Sequence, residues 1–180
     1  MKTIYFIRHG EAEHNVSGVF GGHIDTKLTE HGIKQANLAG QQAKKENLSF
    51  DIIVSSPLDR AHNTAKIVAA HLNHPVNEII LSDDLKERFY GVLEGSDFTQ
   101  YKQAYRANEA SIDHHEGVER FIDMQMRAQR VYDWLQSLPG EKILVVSHAG
   151  FGRALRRAVQ GRPITEKYDP INNAELIRFI

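Results

Sequence analysis

The chain has 180 residues and contains no cysteine, so it has no disulfide framework and no thiol chemistry. This composition suits a reducing compartment. Charge of one sign is also lacking, because 22 Lys and Arg nearly balance 23 Asp and Glu. There is therefore no global field that would favour nucleic acid or an anionic membrane surface as a partner.

Long hydrophobic runs are missing as well. No apolar stretch approaches the roughly 20 residues that a membrane-spanning helix needs. The first residues have the pattern of a strand, without a basic segment and an apolar signal core. At this length the chain suits one domain with a substantial core, which we expect over residues 1–180. These features predict a cytoplasmic enzyme or binding module that is not associated with a membrane, and they leave its oligomeric state open.

Short β-branched and aromatic runs predict strands, and helical patterns lie between them. This alternation favours an α/β fold with a mostly parallel sheet flanked by helices. The predicted strands are residues 2–7, 51–55, 78–81, 142–147 and 174–180. The predicted helices are residues 29–46, a helix that follows residues 51–55, residues 118–138, and a helix that begins near residue 150.

The helix after the second predicted strand has the clearest signals. Ser56 is a suitable N-cap, and Pro57 suits the first helical position. An apolar stripe comprises Leu58, Ala61, Ala65, Val68 and Leu72. In the helix over residues 29–46, the apolar positions are Ile33, Ala36, Gly40 and Ala43.

Arginine and histidine occur where three predicted strands end. Arg8 and His9 follow the first strand, Arg60 lies in the first turn after the second, and His148 follows the fourth. Ligands of open parallel sheets bind outside the carboxyl ends of the strands. Arginine binds phosphate or carboxylate, and histidine can act as a nucleophile. The pattern therefore predicts a pocket for a dianion with a possible nucleophile.

Several separated motifs in the same order resemble the histidine phosphatase superfamily, which includes cofactor-dependent phosphoglycerate mutases and many small phosphatases. The resemblance covers nearly the whole chain. The matching residues are Arg8-His9-Gly10-Glu11 with Asn15; Asp25, Leu28, Thr29, Glu30, Gly32, Gln35 and Ala36; Ser55 to Ala61 with Thr64 and Ala65; Leu85 to Arg88 with Gly91, Glu94 and Gly95; and Val146 to Gly150.

The resemblance implies a three-layer α/β/α sandwich, a phosphohistidine intermediate on His9, and no metal or other cofactor. It also implies that Glu87 donates a proton to the leaving group. The groups implied to hold the phosphoryl oxygens are Arg8, Asn15, Arg60 and His148. A small-molecule phosphate ester is then the expected substrate.

This chemistry makes demands on two side chains. His9 must be neutral at the attacking nitrogen, so its other ring nitrogen must donate to a carbonyl or similar acceptor. Glu87 can protonate an alkoxide if burial and the anionic substrate raise its pKa. Glu13 is an alternative acid, whereas Glu11 is expected to be structural. Asn15 has a second interpretation as the cap of a turn.

Two other functions stay open at this point. Arg88 and Tyr90 lie where the mutases carry substrate contacts, which keeps a mutase possible. Residues 95–117 are polar and irregular, and we expect them to form a small lid. This segment is much shorter than the mutase insertion and offers Lys102 and Arg106 without paired arginines. The remaining alternative is a regulatory module that binds phosphate without turnover.

Some charged residues have no place in this scheme. The basic residues Arg153, Arg156, Arg157 and Arg162 favour a solvent-exposed helix face with salt bridges, the alternative being a role in holding a second anionic group. His71 and His74, or His114, His115 and Glu116, do not complete a recognisable metal site, which favours solvated histidines. Residues 117–120 depart from the family pattern, so Glu119 is expected not to fill the usual supporting role.

Overall fold

The computed structural model describes residues 2–164 and 168–180. The described strands are β1 (Thr3–Arg8), β2 (Ile52–Ser55), β3 (Ile80–Leu81), β4 (Lys142–Ser147) and β5 (Leu176–Arg178). They form one sheet in the order β3-β2-β4-β1-β5. All neighbours are parallel except β5, which runs antiparallel to β1. The predicted α/β class with a mostly parallel sheet is confirmed.

Helices cover both faces of the sheet. They are α1 (Glu13–Ser17), α2 (Glu30–Lys45), α3 (Asp59–His71), α4 (Lys102–Ala107), α5 (Phe121–Ser137) and α6 (Ala149–Val159). Apolar side chains of α2 and α3 share one buried cluster with the sheet, and those of α5 and α6 share another. These layers form the α/β/α sandwich. No helix among the described residues is long and apolar enough to cross a membrane.

Alternation along the strands divides the core between the two faces. In β4, Ile143 and Val145 pack on the α5 and α6 side, whereas Leu144 and Val146 pack on the α2 and α3 side. All four are fully buried. Because both faces of a central parallel strand are covered, its sequence is continuously apolar. The polar residues therefore begin where the strand ends.

The helix after β2 begins later than its capping signals predict. Its N-cap is Leu58, in an extended conformation, so Ser56 is not the cap and Pro57 is not the first helical residue. The Ser56 hydroxyl accepts a hydrogen bond from the Leu58 N–H and also contacts the His148 ring. The Ser56 side chain therefore connects the end of β2 to the start of α3 and to His148 after β4.

The buried face of α2 also differs from the predicted one. Ile33 is 44% exposed, and the glycine beside it, Gly32, faces the interior. A Cβ on Gly32 would lie 2.0 Å from the Glu11 carbonyl oxygen. Because the chain after β1 passes this close to α2, the helix packs against the interior with its small residues and leaves Ile33 exposed. The other predicted positions, Ala36, Gly40 and Ala43, are buried as expected.

Candidate active site

The carboxyl ends of β1, β2 and β4 bring the predicted residues together. Arg8 pairs in register with Ser147, and the His9 N–H donates to the Ser147 carbonyl at 2.9 Å. A cavity of about 140 Å³ opens at this edge of the sheet. Its polar wall contains Arg8, His9, His14, Asn15, Arg60, Glu87 and Arg153, and its aromatic wall contains Phe20, Tyr90, Phe98, Tyr105 and Tyr168. A larger groove, of about 750 Å³, lies along α2 and β5, away from these catalytic candidates.

His9 is held as a neutral nucleophile. Its Nδ1 lies 2.7 Å from the Gly10 carbonyl oxygen, which can only accept, so Nδ1 carries the hydrogen. Nε2 then carries the lone pair. Burial lowers the pKa of His9 well below its ordinary value, and the charges of Arg8 and Arg60 lower it further. The ring is therefore unprotonated at neutral pH, as attack on phosphorus requires.

Arg8, which is half-buried, and Arg60, which is fully buried, supply positive charge to the same cavity. Arg8 Nη1 donates to the Ile171 carbonyl at 2.9 Å. Arg60 donates to the carbonyls of Ile24 and Gly22 at 2.8 and 2.6 Å. The Nε atoms of both are buried without a hydrogen-bond partner in the described part of the chain. Because buried donors are rarely left unpaired, this arrangement suits an anion.

His148 lies behind His9, with 5.1 Å between their ring centroids. Its Nε2 is 2.8 Å from the Ser56 hydroxyl, and its buried Nδ1 has no partner among the described residues. If Ser56 donates to Nε2, then Nδ1 of the neutral ring carries a hydrogen that can bind a phosphoryl oxygen. Burial, Arg60 and His9 hold the pKa of His148 well below its ordinary range. This arrangement is compatible with the predicted role, although His148 is not part of the cavity wall.

Asn15 both caps a turn and lines the cavity. Its Oδ1 accepts from the Ala12 N–H at 3.0 Å, and its Nδ2 lies 2.9 Å from His14 Nε2. His14 was missed in the sequence, although it stands beside Asn15 and its ring is 5.6 Å from that of His9. Burial, together with Arg60 and Arg8, lowers the pKa of His14 to about 3. It is therefore a neutral wall residue.

Glu87 enters the cavity from the loop after β3. One carboxylate oxygen accepts from the N–H groups of Arg88 and Phe151, and the other accepts from Gly150, at 2.8 to 2.9 Å. A Cβ on Gly150 would lie 2.5 Å from Glu87 Oε1, so only glycine permits this approach.

The pKa of Glu87 is lowered in this structure, whereas proton donation was expected to need a pKa raised by burial together with the anionic substrate. Burial does act in that direction, but the backbone N–H groups and the charge of Arg153 outweigh it, and the pKa falls below its ordinary value. The carboxylate is therefore ionised at neutral pH. An anionic substrate beside it would raise this pKa and favour protonation.

These two pKa shifts predict an acidic optimum. The protonated fraction of Glu87 falls about tenfold for each pH unit above its pKa, while His9 stays neutral well into acid. We expect kcat/KM for an alkyl phosphate to fall between about pH 5 and pH 8, and kcat/KM for an aryl phosphate to fall less. Parallel pH profiles of the two substrates measure the difference, which should vanish in Glu87→Gln. A steeper decline for the aryl ester would contradict the assignment.

The loop that bears Glu87 is fixed from outside by Arg127 on α5. Arg127 donates to the carbonyls of Asp84 and Lys86 at 2.7 and 2.9 Å. It also forms two hydrogen bonds, of 2.9 and 2.8 Å, with the Glu119 carboxylate. Glu119 further accepts from the Phe89 N–H. Glu119 therefore supports the loop that bears Glu87, and whether this is the usual role of the family motif stays a prediction.

The structure separates the two predicted mutase-type contacts. Tyr90 lines the cavity, whereas Arg88 is fully buried outside its wall. The Arg88 guanidinium donates to the carbonyls of Glu119 and Glu109 and contacts the Asp113 carboxylate. With these partners it does not face a substrate in the cavity, so the structure does not support the predicted substrate contact.

Residues 95–117 form part of the cavity wall. They contain α4 and two 3-10 turns, Phe98–Gln100 and Glu109–Ile112. Tyr105 and Ile112 belong to a third apolar cluster with Phe20, Tyr90 and Leu93. This packing explains how a segment with a polar sequence forms a wall.

The basic face predicted for α6 is wrong for two of its arginines. Arg153 and Arg157 are 3% and 7% exposed, and both pair with the fully buried carboxylate of Glu109. Arg156 and Arg162 do pair with Asp169 near the surface, as a salt-bridged face predicts. The helix thus carries both buried and surface ion pairs.

The remaining candidates lie outside the catalytic wall. Glu11 accepts from the Thr29 hydroxyl, as the structural interpretation predicts, and exposed Glu13 accepts from the Lys27 N–H. His71 lies 2.9 Å from the Asn37 side-chain oxygen. Within residues 2–164 and 168–180, no group of three His, Asp or Glu residues is placed to hold a metal ion.

Comparison with known proteins identifies the family. Residues 4–179 match the model of the histidine phosphatase superfamily (branch 1). The chain belongs to this superfamily. It is 33% identical over 163 residues to a phosphoglycerate mutase of Schizosaccharomyces pombe, which covers 86% of this chain and 77% of the relative. It is 34% identical over 161 residues to the uncharacterized phosphatase PhoE of Bacillus subtilis, covering 89% and 79%.

Among solved structures, a mycobacterial glucosyl-3-phosphoglycerate phosphatase superposes with a TM-score of 0.84. The two chains are 25% identical, and the match covers 98% of this chain and 91% of the other. The histidine phosphatase fold therefore extends over nearly the whole chain. Phosphatases and mutases both occur among these relatives.

Proposed function

We propose that this protein is a phosphomonoester hydrolase that acts through phospho-His9 on a small phosphorylated metabolite. The observation that carries the proposal is the His9 ring, whose Nδ1 is fixed by the Gly10 carbonyl while Nε2 is left for attack. Arg8, Arg60 and Glu87 line the same cavity. These groups supply a nucleophile, positive charge and a proton donor.

The proposed reaction has two steps. His9 Nε2 attacks phosphorus, the bond to the leaving oxygen breaks, and that oxygen takes a proton from Glu87. Water then attacks phospho-His9 and gives a proton to Glu87, which releases inorganic phosphate and restores His9. Arg8, Arg60, Asn15 and the Nδ1 of His148 would hold the equatorial oxygens. These donors are the basis for proposing that no divalent metal is needed.

A mutase is the second candidate, since several relatives bear that name and Tyr90 lines the cavity. A mutase must hold a bisphosphorylated intermediate and keep water from phospho-His9. Toward the cavity, however, residues 95–117 present the rings of Phe98 and Tyr105. The Arg106 guanidinium lies 5.6 Å from the centre of the Tyr168 ring. Neither Lys102 nor Arg106 lines the cavity, so this segment supplies no cation to hold a second phosphate, which favours hydrolysis.

One assay separates the two activities. With 3-phosphoglycerate and catalytic 2,3-bisphosphoglycerate in the presence of a chelator, we expect phosphate release to match or exceed isomerisation. Isomerisation roughly a hundredfold faster than phosphate release would replace the hydrolase by a mutase. Activity that is lost with the chelator and restored by one metal would contradict the metal-free mechanism.

A non-catalytic module would bind phosphate without turnover, and rapid cleavage of an aryl phosphate would exclude it. Cytoplasmic location, and small phosphate esters rather than nucleic acid or membrane as partners, stay predictions.

A further inference from the structure

Arg153 of α6 lies in the wall of the catalytic cavity, and the proposed reaction does not use it. Its side chain is 3% exposed, so almost none of the guanidinium reaches outer solvent. Nε donates to Glu109 Oε2 at 2.8 Å, and Nη2 lies 3.3 Å from the Tyr105 hydroxyl. The Tyr168 ring stacks against the guanidinium, 4.6 Å from its centre. Nη1 has no hydrogen-bond partner in the described part of the chain.

Arg153 shares its carboxylate partner with a second arginine. Glu109 is fully buried and binds Arg153 through Oε2 and Arg157 through Oε1. Two guanidinium groups thus share the Glu109 carboxylate, and Arg153 contacts only one of its two oxygens. Arg153 lines the cavity, whereas Arg157, one turn further along α6, does not. A group that served only to anchor residues 95–117 would not need to form part of the cavity wall.

We propose that Arg153 binds a second anionic group of the substrate, a carboxylate, while His9 attacks the phosphate. A guanidinium matches the geometry of a carboxylate, and the pairing is strengthened where water is excluded. Arg153 and His9 line the same cavity of about 140 Å³, so a small substrate that carries both a carboxylate and a phosphate suits the site. Glu109 and Tyr168 are the positioning residues, because they fix the guanidinium plane. The inference deepens the proposed function and rests on it.

The test compares two substrates that differ only at the proposed contact. In glycerol 3-phosphate a hydroxymethyl group replaces the carboxylate of 3-phosphoglycerate, while the phosphate ester is the same. We expect the wild-type protein to prefer 3-phosphoglycerate in kcat/KM. Arg153→Gln should lower this preference by roughly 10- to 100-fold, the factor that a hydrogen bond to a charged group provides. The ratio of the two kcat/KM values, measured on one protein preparation, does not depend on the fraction of the protein that is folded.

Arg157→Gln is the matched control, since it removes the other arginine from Glu109 and leaves the cavity wall intact. Its preference should equal that of the wild type. If Arg153→Gln does not fold, Arg153→Lys keeps the charge without the planar fork, and the preference should still fall. An unchanged preference in the Arg153 variant, an equal change in Arg157→Gln, or a wild-type protein without preference would overturn the proposal.

The same assays distinguish a failure of the proposed hydrolase function from a failure of the carboxylate subsite. If neither substrate nor an aryl phosphate releases phosphate, the hydrolase itself is wrong and the subsite proposal falls with it. If the aryl phosphate is hydrolysed and the two alkyl esters have equal kcat/KM values, only the subsite proposal is wrong.

Discussion

Replacing His9 with alanine should lower phosphate release by about 10⁴-fold or more, the scale observed when an enzyme loses its covalent nucleophile. The reason lies in the geometry of the ring. Nδ1 is fixed by the Gly10 carbonyl, and Nε2 alone is left for attack in the cavity that Arg8 and Arg60 also line. Alanine retains the anion site but provides no atom that can accept the phosphoryl group. The measurement is steady-state phosphate release from an alkyl and an aryl ester.

Trapping the intermediate tests the same assignment directly. Brief incubation with a substrate labelled in its phosphate, followed by a quench, should yield an acid-labile, base-stable phosphoprotein that is absent from His9→Ala. His148→Ala is the matched control, because it removes the neighbouring buried histidine, whose ring centroid is 5.1 Å away. This control should lose activity but still take up label. Label retained by His9→Ala would assign the nucleophile to another residue.

Strand ends explain why much of the site was predictable from sequence. Continuous apolar runs identify buried parallel strands, and ligands bind where such strands end. Arg8, His9, Arg60 and His148 therefore could be expected near one another before any coordinates were known. The tautomer of His9 was likewise predictable as a chemical requirement, and the Gly10 carbonyl fulfils it.

Contacts between distant segments explain what the sequence did not reveal. Several arginines on one helix normally indicate a solvent-exposed face, so the sequence of α6 predicted an exposed face. The partner that buries Arg153 is Glu109, 44 residues earlier in an irregular segment without a periodic pattern. The lowered pKa of Glu87 likewise depends on N–H groups of Gly150 and Phe151, 63 and 64 residues away. Burial alone would have given the opposite sign.

Glu87→Gln should separate the proton-donor role from a structural role. Glutamine has nearly the shape of glutamate, and its side-chain oxygen can still accept from the N–H groups of Arg88 and Phe151. Its NH2 group can neither accept from Gly150 nor protonate an alkoxide. We expect turnover of an alkyl phosphate to fall by roughly 10² to 10⁴, the usual range for general acid catalysis. An aryl phosphate should lose less, because a phenolate leaves with little help from a proton. Steady-state kinetics with both esters measure the two losses.

The matched control is Glu13→Gln, since Glu13 is the other candidate acid and its exposed carboxylate accepts from the Lys27 N–H outside the cavity wall. This variant should retain activity on both esters. Equal losses on alkyl and aryl esters in Glu87→Gln would instead indicate that the carboxylate mainly holds the loop through Gly150 and Phe151. A selective alkyl loss in Glu13→Gln would transfer the acid role to that residue. The leaving-group dependence thus decides which carboxylate supplies the proton, because only a true donor affects the ester with the more basic leaving oxygen more strongly.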